Sequence, residues 1–191
     1  MVQILDTTLR EGEQTPNIYF TTSQKIEITE LLDRFGVDFI EIGHPAVSRL
    51  IFKDCQKLNA LKIKAQLIAH ARAKETDILK VRECGCHWVG IFMGINEYSL
   101  KYKFRLTKAQ ALKRIYSSIK YAKKLKLKVR YTIEDSARTK KNDFLRASQA
   151  AIAAGVDRIS VADTVGAFTP DEIYCFAKWL KSKIRKKINI S

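Results

Sequence analysis

The stretch VQILDTTLREGEQ, residues 2–14, decides between the two folds that the rest of the chain permits. A short apolar run of strand type is followed at once by long polar side chains, namely Asp6, Arg10, Glu11, Glu13 and Gln14. An open nucleotide-binding sheet carries the pattern GxGxxG after its first strand, and this stretch lacks it. A surface turn needs no such density of polar groups. The stretch therefore predicts a strand whose carboxyl end bears an active site.

Beyond this stretch, apolar segments of strand type alternate with amphipathic segments of helical spacing. The predicted strands cover residues 2–5, 37–43, 63–70, 88–94, 128–135, 157–163 and 188–191. The predicted helices cover residues 22–36, 47–61, 73–84, 107–126, 141–154 and 170–185. Strict alternation of this kind implies parallel strands joined by right-handed crossover helices.

Polar side chains follow nearly every predicted strand, and this feature selects the architecture. After the first group they are Glu41 and His44, His70 and Arg72, Thr132 and Glu134, and Asp163 and Thr164. In a (β/α)8 barrel the carboxyl ends of all strands meet at one mouth, where barrel enzymes hold their active sites. We therefore predict an α/β fold, a (β/α)8 TIM barrel. We expect residues 1–191 to be a single incomplete barrel domain, truncated after about strand seven.

The composition is that of a globular protein, with 46% hydrophobic and 29% charged residues in a chain of 191. No apolar run approaches the roughly 20 residues of a membrane span, so we expect a cytoplasmic protein with no membrane partner. We expect the four cysteines to be reduced and structural, because the CxC spacing of Cys84 and Cys86 is not that of a zinc module.

The formal net charge of +15 has two interpretations. The basic runs at residues 120–130 and 178–187 are typical of solvated helix faces, and they would also suit nucleic acid or a polyanionic cofactor. No nucleic-acid-binding motif accompanies the charge. We favour solvated helix faces and do not expect nucleic acid as a partner.

The residue types at the predicted mouth suit one class of chemistry. Carboxylates and imidazoles together favour a divalent metal that acts as a Lewis acid on a carbonyl or carboxylate oxygen. A neighbouring arginine stabilises an oxyanion formed when a carbon–carbon bond is made or broken. Hydroxyls at strand ends can bind the carboxylate of a small 2-oxo acid. The residues therefore indicate a metal-assisted site of enolate or aldol type.

Four motifs carry a resemblance to a known family: DTTLREGEQTP, IEIGHPAVS, YTIEDS and VADTVGAFTP. Together they resemble the metal-dependent, acyl-CoA-condensing TIM-barrel enzymes, which include 2-isopropylmalate, homocitrate and citramalate synthases of amino-acid biosynthesis and are related to HMG-CoA lyase. The resemblance covers essentially the whole chain. It implies an acyltransferase that condenses acetyl-CoA, or a similar acyl-CoA, with a 2-oxo acid to a 2-hydroxy diacid. It also implies a divalent metal (Mg, Mn or Zn) and a homodimer in the full-length protein.

The resemblance further implies catalytic and metal-binding roles for four residues. Arg10 corresponds to the arginine that stabilises the enolate or alkoxide oxygen, and Glu11 to an acidic metal ligand. The remaining ligands belong to a His-x-His segment on strand seven, expected beyond Ser191. His70 and Glu134 correspond to catalytic positions at the ends of strands three and five.

A second group corresponds to positions that bind the 2-oxo acid: Gln14, Glu41, Thr132, Ser160 and Thr164. Homocitrate synthases add an arginine after strand four for the distal carboxylate of 2-oxoglutarate, and Leu100 stands in its place here. Lys101 or Lys103 can supply a point charge there, without the bidentate geometry of arginine.

Other interpretations remain open at this point. The chain can be an inactive fragment, a binding module with a basic surface, or an aldolase or lyase on the same barrel. Asp6 can cap the turn after the first strand, His70 can be a structural histidine, and Asp163 with Thr164 can cap the helix that follows them.

Overall fold

The computed structural model describes residues 2–184 and 188–191 and shows one sheet of seven parallel strands within them. The strands are β1 (Leu5–Asp6), β2 (Phe39–Glu41), β3 (Gln66–Arg72), β4 (Trp88–Phe92), β5 (Lys128–Ile133), β6 (Arg158–Val161) and β7 (Asn189–Ile190). Each strand pairs with the next in the chain, so the order is β1 to β7 without a reversal.

This strand order distinguishes the barrel from an open sheet. A doubly wound sheet reverses its order at a switch point, whereas a barrel adds each strand beside the previous one, with the helices outside. The sheet curls as a half-barrel, and the prediction of a TIM-barrel fold is confirmed.

Seven helices connect the strands within the described residues. They are α1 (Thr8–Glu11), α2 (Thr22–Phe35), α3 (Arg49–Asn59), α4 (Glu75–Glu83), α5 (Lys108–Lys124), α6 (Lys141–Ala154) and α7 (Pro170–Lys183). Residue 185, the predicted end of the last helix, and residues 185–187 of the basic run lie outside the described residues. Among the helices of residues 2–184 and 188–191, none combines the length and the apolar character that a membrane-spanning helix requires.

Local sequence signals explain where the long helices begin and end. Capping boxes start α2, α5 and α7, with Thr21, Thr107 and Thr169 each accepting a backbone N–H from three residues on. Gly36 and Gly155 stop α2 and α6 with φ values of +93° and +92°, a conformation that glycine adopts without steric cost.

Three short elements were not predicted. They are α1, the 3₁₀ turn (Gly12–Gln14) that continues it, and a π-helical turn (Ser99–Phe104) that precedes α5. Three to six residues are too few to show helical periodicity. The first strand is also shifted, to Leu5–Asp6 rather than residues 2–5, because Asp6 pairs with Ile40 of β2.

The two faces of the sheet have different surroundings. Outward side chains such as Val89 and Tyr131 join the helices in the main core, which also holds the free cysteines Cys55, Cys84 and Cys86. Those three match the expectation of structural thiols, whereas Cys175 is exposed. Inside the barrel, a separate apolar cluster of Leu5, Phe39, Ile68 and Trp88 forms the floor.

Pairing between strands sets the interior rows above that floor. His70, Gly90, Arg130 and Arg158 lie side by side across β3 to β6. The next row towards the carboxyl ends holds Arg72, Phe92, Thr132 and Ser160. Paired residues of parallel strands point to the same face, so a charged row lies directly beneath the mouth.

Candidate active site

A cavity of about 500 Å³ opens at the carboxyl ends of the strands. Its wall brings together seven of the nine predicted site residues: Arg10, Glu11, Gln14, His70, Thr132, Glu134 and Thr164. Glu41 and Ser160 are not among its lining residues. Segments distant in sequence thus meet at one mouth, as expected for the active end of a barrel.

Arg10 is placed by α1, the short helix directly after β1. Its Nε donates to Oε2 of Glu41, and its Nη1 lies 2.5 Å from Oε1 of Glu11. The side chain is only 16% exposed. The two carboxylates therefore fix the orientation of the planar guanidinium. That orientation also determines where its remaining N–H groups point.

Glu41 is the buried anion beneath the mouth, with 1% of its side chain exposed. It contacts Nε of Arg10, Nη2 of Arg130 and, at 2.9 Å, Nε2 of His70. Burial alone would raise the pKa of Glu41, but the hydrogen bond from His70 and the two arginine charges outweigh burial and hold the pKa well below its usual range. Glu41 is therefore ionised and orders three side chains.

His70 lies in the charged row and stacks on Phe92, with 5.5 Å between ring centroids. Burial lowers the pKa of His70 below its ordinary value of 6.5, and the charges of Arg10 and Arg130 act in the same direction, against the hydrogen bond and charge of Glu41. The imidazole is neutral at pH 7. Nε2 lies 2.9 Å from both Oε1 of Glu41 and Nη2 of Arg130. Because a carboxylate only accepts and a guanidinium only donates, Nε2 of the neutral ring forms a hydrogen bond with one of them at a time.

We expect His70 to titrate below pH 6.5 in the folded protein. Between its folded pKa and 6.5 the unfolded chain binds more protons, so this group contributes stability above pH 6.5 that is lost progressively as the pH falls. An NMR titration of the three histidine ring signals, with His44→Gln and His87→Gln used for assignment, measures the midpoint. A midpoint at or above 6.5 for His70 would contradict the assignment.

Gly90 gives the His70 ring its space. A Cβ at this position would lie 2.9 Å from Cδ2 of His70 and 3.3 Å from Nη2 of Arg130. We expect Gly90→Ala to destabilise the fold by about 1–3 kcal/mol in urea unfolding, the usual cost of overpacking. In a His70→Ala background the cost should shrink, because the nearest clashing ring is gone. An equal cost in both backgrounds would place the strain elsewhere.

Arg130 is the functional neighbour that sequence reasoning missed. It is buried on β5 and faces Glu41 and His70. The signal was present, because Arg130, Thr132 and Glu134 alternate along KVRYTIE and so share one face of the strand. The prediction covers only Thr132 and Glu134, because they lie at the end of the strand.

The hydroxyls at the mouth differ in whether they already form a hydrogen bond within the protein. Oγ1 of Thr132 is buried and has no hydrogen-bond partner among the described residues, which leaves it for a ligand atom. Oγ1 of Thr164 accepts the backbone N–H of Asp135 at 2.9 Å, and it still lines the cavity. The helix-cap alternative for Thr164 is wrong, because Thr169 caps α7.

Glu134 and Lys103 form an ion pair at the rim. Nζ of Lys103 lies 2.8 Å from both carboxylate oxygens of Glu134. Lys101 and Lys103 are the two lysines that could bind a distal carboxylate. Lys103 is linked to the mouth through its ion pair with Glu134, which lines the cavity. Asp6 instead accepts from the backbone and the hydroxyl of Thr8, so its role is to hold the turn after β1.

The described residues do not fit the metal that the resemblance implies. Within residues 2–184 and 188–191, no group of three His, Cys, Asp or Glu side chains could hold a metal ion. Glu11 is the assigned ligand, and it is paired with Arg10. One carboxylate leaves most of an ion's coordination unfilled. No step of the reaction is therefore assigned to a metal.

Comparison with known proteins places the chain in context. The HMGL-like family model matches residues 1–191. Over 175 residues the chain is 47% identical to a homocitrate synthase of Pyrococcus abyssi, covering 92% of this chain and 48% of that protein. It is 42% identical to a homocitrate synthase of Saccharolobus islandicus, covering 90% of this chain and 38% of that one. The chain thus spans about half, or less, of the length of these relatives.

Solved structures agree on the fold. The HMG-CoA lyase of Bacillus subtilis superposes with a TM-score of 0.84 at 19% identity, covering 99% of this chain and 67% of that one. A phosphonopyruvate hydrolase complex with oxalate and Mg²⁺ gives a TM-score of 0.67 at 14% identity, covering 99% of this chain and 66% of that one. At such identities these likenesses support the barrel alone.

Proposed function

The chain belongs to the HMGL-like family, and from that premise we propose that the protein is a Claisen-type acyltransferase. The reaction condenses acetyl-CoA, or a similar acyl-CoA, with a 2-oxo acid and water to give CoA and a 2-hydroxy acid that carries one carboxylate more than the 2-oxo acid. The observation that carries this proposal is the guanidinium of Arg10, held at the mouth between Glu41 and Glu11. The names of the homocitrate synthase relatives support the same class of reaction.

The bond changes define what the mouth must do. A base removes a proton from the α-carbon of the thioester, and the resulting enolate carbon attacks the keto carbon of the 2-oxo acid. The keto oxygen becomes an alkoxide and takes up a proton. Water then cleaves the thioester, which releases the CoA thiol and leaves one new carboxylate on the product.

Arg10 is assigned to the oxygen on which charge develops. A positioned cation in a partly buried site stabilises the alkoxide more than the neutral ketone, and this difference lowers the barrier. The guanidinium cannot rotate away, because Glu41 and Glu11 hold two of its edges. The positioning of Arg10 is thus part of its catalytic effect.

The 2-oxo acid is assigned to the hydroxyl side of the mouth. The buried, unpartnered Oγ1 of Thr132 and the hydroxyl of Thr164 would bind its first carboxylate, with Gln14 near the keto group. Lys103 pairs with Glu134 beside the mouth, and a second carboxylate of a dicarboxylic substrate such as 2-oxoglutarate would compete with Glu134 for its charge. His70 and Glu134 are the lining groups assigned to the proton transfers.

A free-CoA assay tests the proposal. The purified protein is incubated with acetyl-CoA and a panel of 2-oxo acids, with and without Mg²⁺, Mn²⁺ or Zn²⁺, and released thiol is measured. We expect CoA release that depends on one 2-oxo acid, with 2-oxoglutarate tested first. CoA-independent cleavage of a hydroxy acid would instead indicate an aldolase or lyase. Absence of thiol release with every acid and metal would contradict the proposal.

A further inference from the structure

Two further cavities lie beside the mouth and join into one groove. The inner cavity, of about 380 Å³, shares Phe92 with the mouth. The outer cavity, of about 310 Å³, shares Ala73, Lys74 and Arg114 with the inner one. The groove therefore runs from the mouth, over the start of α4, to the first half of α5.

Four cations line this groove, which we call the basic groove: Arg72, Lys74, Lys103 and Arg114. Two of them already have partners at the groove's edge, because Arg72 binds Asp77 and Lys103 binds Glu134. Lys74 and Arg114 form no ion pair with any described residue. The carboxylate of Glu75 also lines the outer cavity.

Arg114 is the unusual member of the set. Its side chain is half-buried, it lines both cavities, and no described residue gives it a counter-ion. A guanidinium that is partly removed from water without an anion is unfavourable, and an anionic ligand would relieve that cost. The hydroxyls of Ser117 and Ser118 also belong to residues that line the outer cavity, but they already donate to backbone carbonyls of α5, so the cations are the donors left for a ligand. A guanidinium and an ammonium together suit phosphate oxygens.

We propose that the basic groove binds the phosphate groups of the acyl-CoA whose thioester reacts in the mouth. This inference rests on the proposed function for its reactive end. It goes beyond that function by assigning a site for the end of the substrate that does not react. The acyl group and the phosphates of CoA are separated by a long flexible arm, and the inner cavity with Phe92 and Phe104 provides a continuous path between them.

The direct test measures binding of adenosine 3′,5′-bisphosphate, which carries phosphates of CoA without the reactive arm. We expect Arg114→Gln and Lys74→Gln each to weaken binding by about tenfold in calorimetry, because each loses a charge-assisted contact. Lys113→Gln and Arg82→Gln are matched controls, since both side chains are exposed and neither lines the groove. Circular dichroism checks the fold. Lys74 is exposed, so its variant tests the groove even if Arg114→Gln does not fold.

A kinetic test separates this inference from the proposed function. In the CoA-release assay, the groove variants should raise KM for acetyl-CoA about tenfold and leave kcat and the KM of the 2-oxo acid unchanged. With acetyl-pantetheine, which lacks these phosphates, the variants and the wild type should react alike.

The results of these two tests distinguish failure of the groove assignment from failure of the proposed reaction. Bisphosphate binding that is unchanged in both groove variants, or equally weakened in the controls, would overturn the assignment of the groove while leaving the reaction in place. If the protein releases no CoA but binds the bisphosphate through Arg114 and Lys74, the groove stands and the proposed reaction fails. Binding of an RNA or DNA oligonucleotide that the bisphosphate does not displace would also overturn the assignment.

Discussion

Arg10→Gln is expected to lower kcat for CoA release by about 100- to 1000-fold, the usual cost of losing one donor to a developing oxyanion. The substitution removes the charge and keeps a polar side chain of moderate length. The KM of the 2-oxo acid should change far less than kcat, because the interaction is strongest in the transition state.

Two further variants sharpen this prediction. Arg10→Lys keeps the charge but loses the planar fork that Glu41 and Glu11 hold, so it should recover only part of the rate. Arg34→Gln is the control, because Arg34 is exposed at the end of α2. Full activity in folded Arg10→Gln would refute the role of Arg10.

Glu41→Ala is expected to give the largest loss of stability, roughly 3–5 kcal/mol in the free energy of unfolding. Glu41 is the shared partner of Arg10, Arg130 and His70, and it is 1% exposed. Without it, Arg130 is a buried cation with no carboxylate, and the row beneath the mouth loses its order. Urea unfolding measures the change. Glu30→Gln, at an exposed position of α2, should stay within about 0.5 kcal/mol of wild type.

The pH dependence of Glu41→Gln provides an independent check. The pKa of Glu41 is lower in the folded protein than its ordinary value of 4.5. Its contribution to stability is therefore fully present above pH 4.5 and is lost as the pH falls below that value. The difference between wild type and Glu41→Gln should shrink in acid. A difference that is constant from pH 7 down to pH 3 would show that the neighbours of Glu41 do not lower the pKa of its carboxyl in the folded protein.

The sequence was sufficient to predict the barrel, because the alternation of strands and helices and the positions of polar residues both repeat regularly along the chain. Alternating apolar and amphipathic segments predict parallel strands, and polar residues after strands predict the mouth. The polar residues after strands include Arg10, His70, Thr132 and Glu134, and in the structure all four line one cavity. These residues lie at ends of elements, so strand order alone fixes their neighbourhood.

The contacts between side chains inside the barrel could not be predicted from this regular pattern. Glu41 was expected to touch substrate, and the structure instead places it beneath the mouth, bound to two arginines and a histidine. Whether an inward side chain reaches the mouth depends on strand stagger, which one sequence does not specify. Strand stagger also determines the position of Ser160, which lies on β6 and does not line the cavity.

A crystal structure of the protein with bound 2-oxoglutarate tests whether Arg10 holds the oxygen on which charge develops. We expect the keto oxygen within about 2.7–3.2 Å of a nitrogen of Arg10, and the neighbouring carboxylate against the hydroxyls of Thr132 and Thr164. The distal carboxylate should face Lys103. Binding outside the mouth, or in the mouth with the keto oxygen turned away from Arg10, would contradict this expectation.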